Sequence, residues 1–183
     1  MYARLQAIAE RLDRLAEASG RLIAWLTLGM VLITFTVVVL RYLFASGSIA
    51  LQESVSYLHA MVFMLAAAYT LKQDGHVRVD IFYQGFTARG RAWVDLLGTL
   101  LLLFPVCLFI FFSSLGYVAD SWSLLEGSRE AGGLDGVFLL KTAIPVMAIL
   151  LLLQGCSIVL HKFLLLAGYP PPAEPDSSPD REL

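Results

Sequence analysis

The sequence predicts an all-α integral membrane protein with four transmembrane helices, both termini on the inner side (N-in/C-in), preceded by an amphipathic N-terminal helix. Two observations carry this reading. The 183 residues are 58% hydrophobic and only 15% charged, against about 25% charged in a soluble domain, and the mean hydropathy is +0.73. The charges also collect in short blocks between long apolar runs. Bilayer spans require that pattern and a water-soluble core does not.

A hydrocarbon core needs about 20 mostly apolar residues per helix. Four stretches supply them: 22–44, 49–71, 92–118 and 137–166. The last two are long enough to tilt or to run past the bilayer. Pro105 and Pro145 lie inside them; each removes a backbone hydrogen bond, so kinks are expected there. The first stretch is longer than the usual apolar region of a signal peptide, about 7–15 residues, and Glu10, Asp13 and Glu17 precede it. It is therefore expected to remain as a membrane helix.

Orientation follows from the basic residues. Arg4, Arg11, Arg14, Arg21, Lys72, Arg78, Arg89, Arg91, Lys162 and Arg181 fall on one side, while Arg41, Arg129 and Lys141 fall on the other. The positive-inside rule puts the first group in the cytoplasm, and both termini with it. Within residues 1–21, Leu5, Ile8, Leu12 and Leu15 recur at helical spacing among charged residues. This is the pattern of an amphipathic helix lying on the inner membrane face or against a partner; a merely solvated extension is the alternative. Residues 22–166 form the transmembrane domain, and the proline-rich stretch 167–183 reads as a disordered cytoplasmic tail. The two halves do not resemble each other, which argues against a self-contained transporter built from inverted repeats.

Charges at membrane depth cost about 2.5–3.5 kcal/mol at a helix centre on insertion scales, so each needs an account. Arg41 ends the first span and Glu53 lies a turn into the second, joined by a short link around Ser46-Gly47-Ser48. The link makes the two helices antiparallel neighbours, and a structural Arg41–Glu53 ion pair near the outer surface is the preferred reading. A transported-proton or substrate role for Glu53, or contact with a partner protein, stays open. Gln52, Ser56 and His59 share one face of the second span. A polar stripe of this kind suits interhelical hydrogen bonds or a protein interface.

Several function classes drop out. No basic stripe with interleaved aromatics points to nucleic acid. Cys107 and Cys156 both sit in apolar runs, so they read as small packing residues rather than a disulfide. His59 and His161 differ in depth by roughly 15 Å at 1.5 Å per residue, which disfavours a bis-histidine haem anchor. No C-x-x-C pair lies outside the membrane for thiol oxidation. No catalytic group, cofactor or metal site is assigned.

The connections carry the remaining signals. Lys72-Gln73-Asp74-Gly75-His76-Val77-Arg78-Val79-Asp80 is a dense polar turn, read as salt-bridged; one His with two Asp could bind a cation only weakly. On the outer side, residues 120–136 contain Trp122, Glu126, Arg129 and Glu130. Trp122 is placed at headgroup level. The charged residues could dock a periplasmic protein or form a solvated loop.

With these residues in view, the sequence resembles the small membrane subunit of a tripartite ATP-independent periplasmic (TRAP) transporter, the DctQ-like family, over about 22–166. Arg41-Tyr42 is similar to the pair closing that family's first helix, and Glu53 to an acid opening its second. Gly75-His76-Val77-Arg78-Val79-Asp80 resembles the family's inner turn. Ser121-Trp122, Glu126-Gly127-Ser128, Gly132-Gly133-Leu134 and Lys141-Thr142 look like the subgroup linked to mannitol or chloroaromatic compounds. At the second helix many members carry a Trp and two adjacent acids, where Ile49-Ala50-Leu51-Gln52-Glu53 offers no Trp and one acid.

The resemblance implies a multi-pass protein of the bacterial inner membrane and a division of labour. A large permease subunit carries the substrate and ion sites, a periplasmic solute-binding protein delivers an organic-acid-like solute, and the small subunit is a fixed, non-enzymatic scaffold seated in membrane lipid. In that scheme Arg41 and Glu53 pin the first two helices, and the His76, Arg78 and Asp80 turn fixes the inner connection. Trp122, Glu126, Arg129 and Glu130 are candidates for docking the binding protein. A standalone four-helix proton-coupled carrier or channel is the alternative from another class, and a redox membrane anchor is the third.

Overall fold

The computed structural model describes residues 2–76, 83 and 85–169. Helix α1, Tyr2–Leu43, is a single run of 42 residues, about 63 Å at 1.5 Å per residue. That is roughly twice a hydrocarbon core. The N-terminal segment is therefore not a separate element, because the helix continues through the expected boundary at residue 21.

The face that α1 buries also differs from the apolar stripe in its sequence. Ala9, Ala16, Gly20 and Ile23 are buried, while Ile8 and Leu15 remain about half exposed, at 48% and 47%. Small side chains let the neighbouring helices approach closely, as is common in membrane bundles. At Gly20 the approach is closest: a Cβ there would lie 2.3 Å from Tyr69 Cγ.

Helix α2, Ile49–Leu65, starts at Ser48, whose hydroxyl accepts the Leu51 amide at 3.4 Å; this is a long version of an N-cap bond. A one-residue turn at Ala66 leads into α3, Ala67–Lys72. After the inner connection, Thr87 caps α4, Ala88–Gly98, by accepting the Gly90 amide at 3.2 Å.

A π-helical turn at Thr99–Leu103 joins α4 to α5, Phe104–Ser123. The expected disturbance at Pro105 takes this form. Proline has no N–H to give the carbonyl four residues back, and the ladder widens just before it. Helix α6, Val137–Leu166, accommodates Pro145 in its interior with that residue buried.

Four runs are long and apolar enough to cross a membrane: Tyr2–Leu43, Ile49–Lys72, Ala88–Ser123 and Val137–Leu166. The fold is thus all-α, and no strand occurs among the described residues. Helix α6 is the axis of the bundle. It packs against α1, α2, α3, α4, the π turn and α5, while α1 packs also on α2 and α3. A third of its most apolar stretch (33%) is buried, against 6–11% in the other three spans.

The other helices leave large side chains bare. Leu22 and Trp25 on α1 are 72% and 70% exposed, and Phe109 on α5 is 73% exposed. Cys107 is buried and Cys156 exposed, both as free thiols.

Candidate functional site

Polar side chains gather at the two ends of α6, and each end clamps elements distant in sequence. At the N-terminal end of α6, the end expected to face outward, the link between α5 and α6 folds back over the bundle. Ser128 N–H donates to the Leu134 carbonyl at 2.9 Å and Gly133 N–H to the Glu130 carbonyl at 3.0 Å, closing a compact loop. Gly132 has φ +81°, a left-handed conformation that glycine adopts without steric cost.

Glu53 on α2 anchors this loop. Its carboxylate accepts hydrogen bonds from the Ser128 hydroxyl and from the Leu134 amide, the latter at 2.7 Å. Room for that carboxylate exists because position 133 is glycine, where a Cβ would lie 2.7 Å from Glu53 Oε2.

A second anchor joins the loop to α5 and α6. Glu126 accepts hydrogen bonds from Lys141 on α6 and from the Ser121 hydroxyl on α5, the latter at 2.7 Å. Lys141 Nζ also lies over the Tyr117 ring, 3.9 Å from its centroid, a favourable cation–π placement. The Lys141 hydrogen bond, then that from Ser121, holds the Glu126 carboxyl below its ordinary value. Beside them, Trp122 Nε1 donates to Thr142 Oγ1 at 2.9 Å, and its ring meets Phe138 edge-on at 4.7 Å.

These contacts correct one expectation. Glu53 does not pair with Arg41, which is exposed at the end of α1 and has no ion-pair partner among the described residues. Adjacent helices bring the backbones together, but rotation about each helix axis decides which side chains meet. Glu53 is turned toward the loop before α6.

Gln52, Ser56 and His59 do share a face of α2, and all three are exposed. Gln52, Glu53 and Ser56 line a shallow pocket of about 330 Å³ with Ile49 and Glu130. Arg129 and Glu130 point their side chains to the surface of the loop. His76 is exposed after α3, whereas Arg78 and Asp80 lie outside the described residues, as do 170–183 of the tail.

The inner end holds a cluster that sequence reasoning missed. Asp13 on α1 accepts Gln154 Nε2 at 3.0 Å and the Ser157 hydroxyl at 2.6 Å, and its other oxygen lies 2.8 Å from His161 Nε2. Ser157 is also within 3.2 Å of the Ala9 carbonyl. Lys72 Nζ at the end of α3 bonds Glu17 on α1 at 2.7 Å. Lys162 Nζ bonds Asp95 on α4 at 2.7 Å, and the Tyr83 hydroxyl lies 2.8 Å and 2.9 Å from that carboxylate's oxygens. Tyr2 stacks on Tyr169 at 4.2 Å.

The available signal was the spacing of Gln154, Ser157 and His161. They occupy one stripe of an otherwise apolar helix, where polar groups need partners.

Both clusters are sets of acceptors and donors that bond one another across helices. They can hold helices in register, and that is the chemistry their geometry supplies.

A family model described as "Tripartite ATP-independent periplasmic transporters, DctQ component" matches residues 30–164, from the middle of α1 nearly to the end of α6. No curated protein and no solved structure matches the chain. Components of this family work in a three-part transporter with a large permease and a binding protein, and they reside in the bacterial inner membrane. The chain belongs to the DctQ family, the small permease component of TRAP transporters.

Proposed function

We propose that this chain is the membrane-fixed scaffold against which the large permease subunit moves. One observation carries the reading: the bundle is clamped by polar networks at both ends of α6 while the outer faces of its spans are bare. Phe35 on α1 and Phe63 on α2 are 66% and 74% exposed. Such faces need lipid or another protein as cover, and a broad apolar surface next to a rigid core suits a stationary partner.

In this reading both termini are cytoplasmic, as the distribution of Lys and Arg requires. The apolar stripe of Leu5, Ile8, Leu12 and Leu15, exposed at Ile8 and Leu15, holds the N-terminal half of α1 to the membrane or to the large subunit. The anchored loop 120–136 presents Trp122, Arg129 and Glu130 to the solute-binding protein, and Glu126 keeps that loop in place. The solute is an organic-acid-like compound, as the family resemblance implies.

Glu53 serves as a positioning residue, supported by its two hydrogen bonds to the loop. The test is a gentle-detergent pull-down of the tagged chain from its native membrane. Stoichiometric recovery of one large polytopic protein is expected. Recovery of the chain alone, with solute uptake by the chain alone in liposomes, would overturn the scaffold reading in favour of a standalone carrier.

A further inference from the structure

The inner end of the bundle is not filled. Against α6, lined from α3 on one side and α4 on the other, lies a cavity of about 700 Å³, within the size range of small-molecule sites, about 300–1,000 Å³. Its wall is of two kinds. Lys72, Asp74, Asp95 and Lys162 line one part, and Leu103 and Ile158 line another, with Asp13, Thr99 and Gln154 between them.

Depth separates the two parts. Lys162 is 25 residues beyond Val137 in α6, about 38 Å along the axis. That exceeds the hydrocarbon thickness of about 30 Å and reaches the headgroup layer. Ile158 lies one turn deeper, and Gln154 one turn deeper again. On the facing wall Leu103 is eight residues, about 12 Å, deeper than Asp95; the cavity therefore runs from charged at headgroup level to a deeper wall where Leu103 and Ile158 are apolar and Thr99 and Gln154 polar.

The polar groups there have capacity left. Among the described residues Lys72 and Lys162 each bond one carboxylate, whereas an ammonium offers three donors. Their side chains are 21% and 32% exposed. Gln154 on the wall is 3% exposed, and its amide oxygen has no donor.

The backbone keeps the space open. A Cβ at Gly98, on the wall, would meet no atom within 4 Å. On the far side of the π turn, Gly155 admits Leu103 and Phe104 so closely that a Cβ would lie 2.9 Å and 2.5 Å from them. A π turn inside an α-helix is a frequent mark of a functional position.

We propose that this cavity holds the headgroup and glycerol region of one phospholipid bearing a primary ammonium, drawn from the leaflet on the side of the two termini. The spare N–H donors of Lys72 and Lys162 take the phosphate. The ammonium donates to the carboxylate of Asp95 at the same level, and the acyl chains leave over Leu103 and Ile158. A free phosphate would leave the apolar wall unused, and a wall that reaches acyl depth from headgroup level matches a lipid in both parts. Bound there, it would bridge α3 to α4, both of which pack on α6.

The test uses the full chain with whatever partner co-purifies, reconstituted in nanodiscs of equal phosphatidylethanolamine and phosphatidylcholine. Retained lipid is read by native mass spectrometry. Gly98→Leu fills the cavity without removing a polar group. Gly116→Leu is the matched control, because its Cβ also meets nothing within 4 Å and it is not on the cavity wall.

The wild type and Gly116→Leu are expected to retain one phosphatidylethanolamine, with roughly tenfold preference over phosphatidylcholine. Gly98→Leu should lose that retention with its thermal midpoint in lipid-free detergent unchanged. Independently of any variant, a photoreactive phosphatidylethanolamine should label α4 and the π turn. Equal retention of both lipids, no retained lipid, or labelling confined to the bare face at Phe109 and Phe112 would overturn the proposal. None of these readouts depends on transport or on recovery of the large subunit, so the scaffold reading stands or falls separately.

Discussion

Glu53 and Leu134 are 81 residues apart, and the Leu134 amide donates to the Glu53 carboxylate at 2.7 Å. The same carboxylate holds the Ser128 hydroxyl, so one acid near the start of α2 fixes both ends of the loop turn that precedes α6. The outer loop is thereby part of the bundle rather than a strand of solvated chain, and its surface keeps a fixed shape.

Glu53→Gln keeps the side chain's size but replaces one acceptor with a donor that faces another donor. The loop should loosen while the spans stay folded. Hydrogen exchange at the Leu134 amide is expected to speed up by roughly tenfold or more, since local opening no longer breaks a charge-assisted bond. Exchange at wild-type rates, with assembly and transport unchanged, would remove the anchoring role.

At the inner end, Asp13→Asn should weaken the junction of α1 with α6. Three donors on α6 then face a neutral partner that cannot accept from all of them. A loss of about 1–3 kcal/mol is expected for this part-buried site. Thermal unfolding in detergent measures it, and a double-mutant cycle with His161→Ala should show non-additivity of at least about 0.5 kcal/mol. Full additivity would mean that the pair does not couple the helices.

Glycines on α1 and α5 should respond oppositely to alanine. Gly20→Ala forces a Cβ against the Tyr69 ring at 2.3 Å, and overpacking of this kind costs about 1–3 kcal/mol. Gly116→Ala meets open space and gains helix propensity of up to about 1 kcal/mol. Comparing the two thermal midpoints decides it; equal effects would show that α1 and α3 are not in close contact.

Acidification should release the outer loop through Glu126. Its carboxyl is held below the ordinary value, first by Lys141, so the folded form binds its proton less readily than the unfolded form. The stabilisation is complete above the unfolded carboxylate range, about 4.3. It is lost as pH falls through the lower folded value. NMR titration of the loop should show a midpoint below the ordinary carboxylate value that rises toward it in Lys141→Met, the Ser121 hydrogen bond keeping part of the shift; an unchanged midpoint in that variant would assign the shift elsewhere.

Arg129→Ala with Glu130→Ala tests the docking role directly. Both side chains are exposed and neither closes the anchor contacts. Folding should be unaffected and solute uptake reduced at limiting binding protein. Unaltered uptake would sink the docking proposal.

Four membrane-crossing runs, their order and the limits of the second and fourth were legible in the chain itself. The second, third and fourth stretches, 49–71, 92–118 and 137–166, fall within the runs Ile49–Lys72, Ala88–Ser123 and Val137–Leu166. Apolar length is a local property, and a bilayer imposes the same length on every span. Pro105 announced a disturbance for the same reason, because a missing N–H acts within one turn.

Partner choice was not local. Neighbouring helices suggested Arg41 for Glu53, yet the axial rotation of α2 turns Glu53 to Ser128 and Leu134. Nor did the apolar stripe of residues 5–15 reveal that α1 packs through Ala9, Ala16 and Gly20, whose small size matters only when another helix approaches. Asp13 had no visible partner until α6, more than 140 residues later, brought Gln154, Ser157 and His161 beside it. Composition determined that the chain crosses a membrane four times. Only the tertiary structure decided which polar groups meet, because helix rotation and close approach depend on the whole packed set of neighbours.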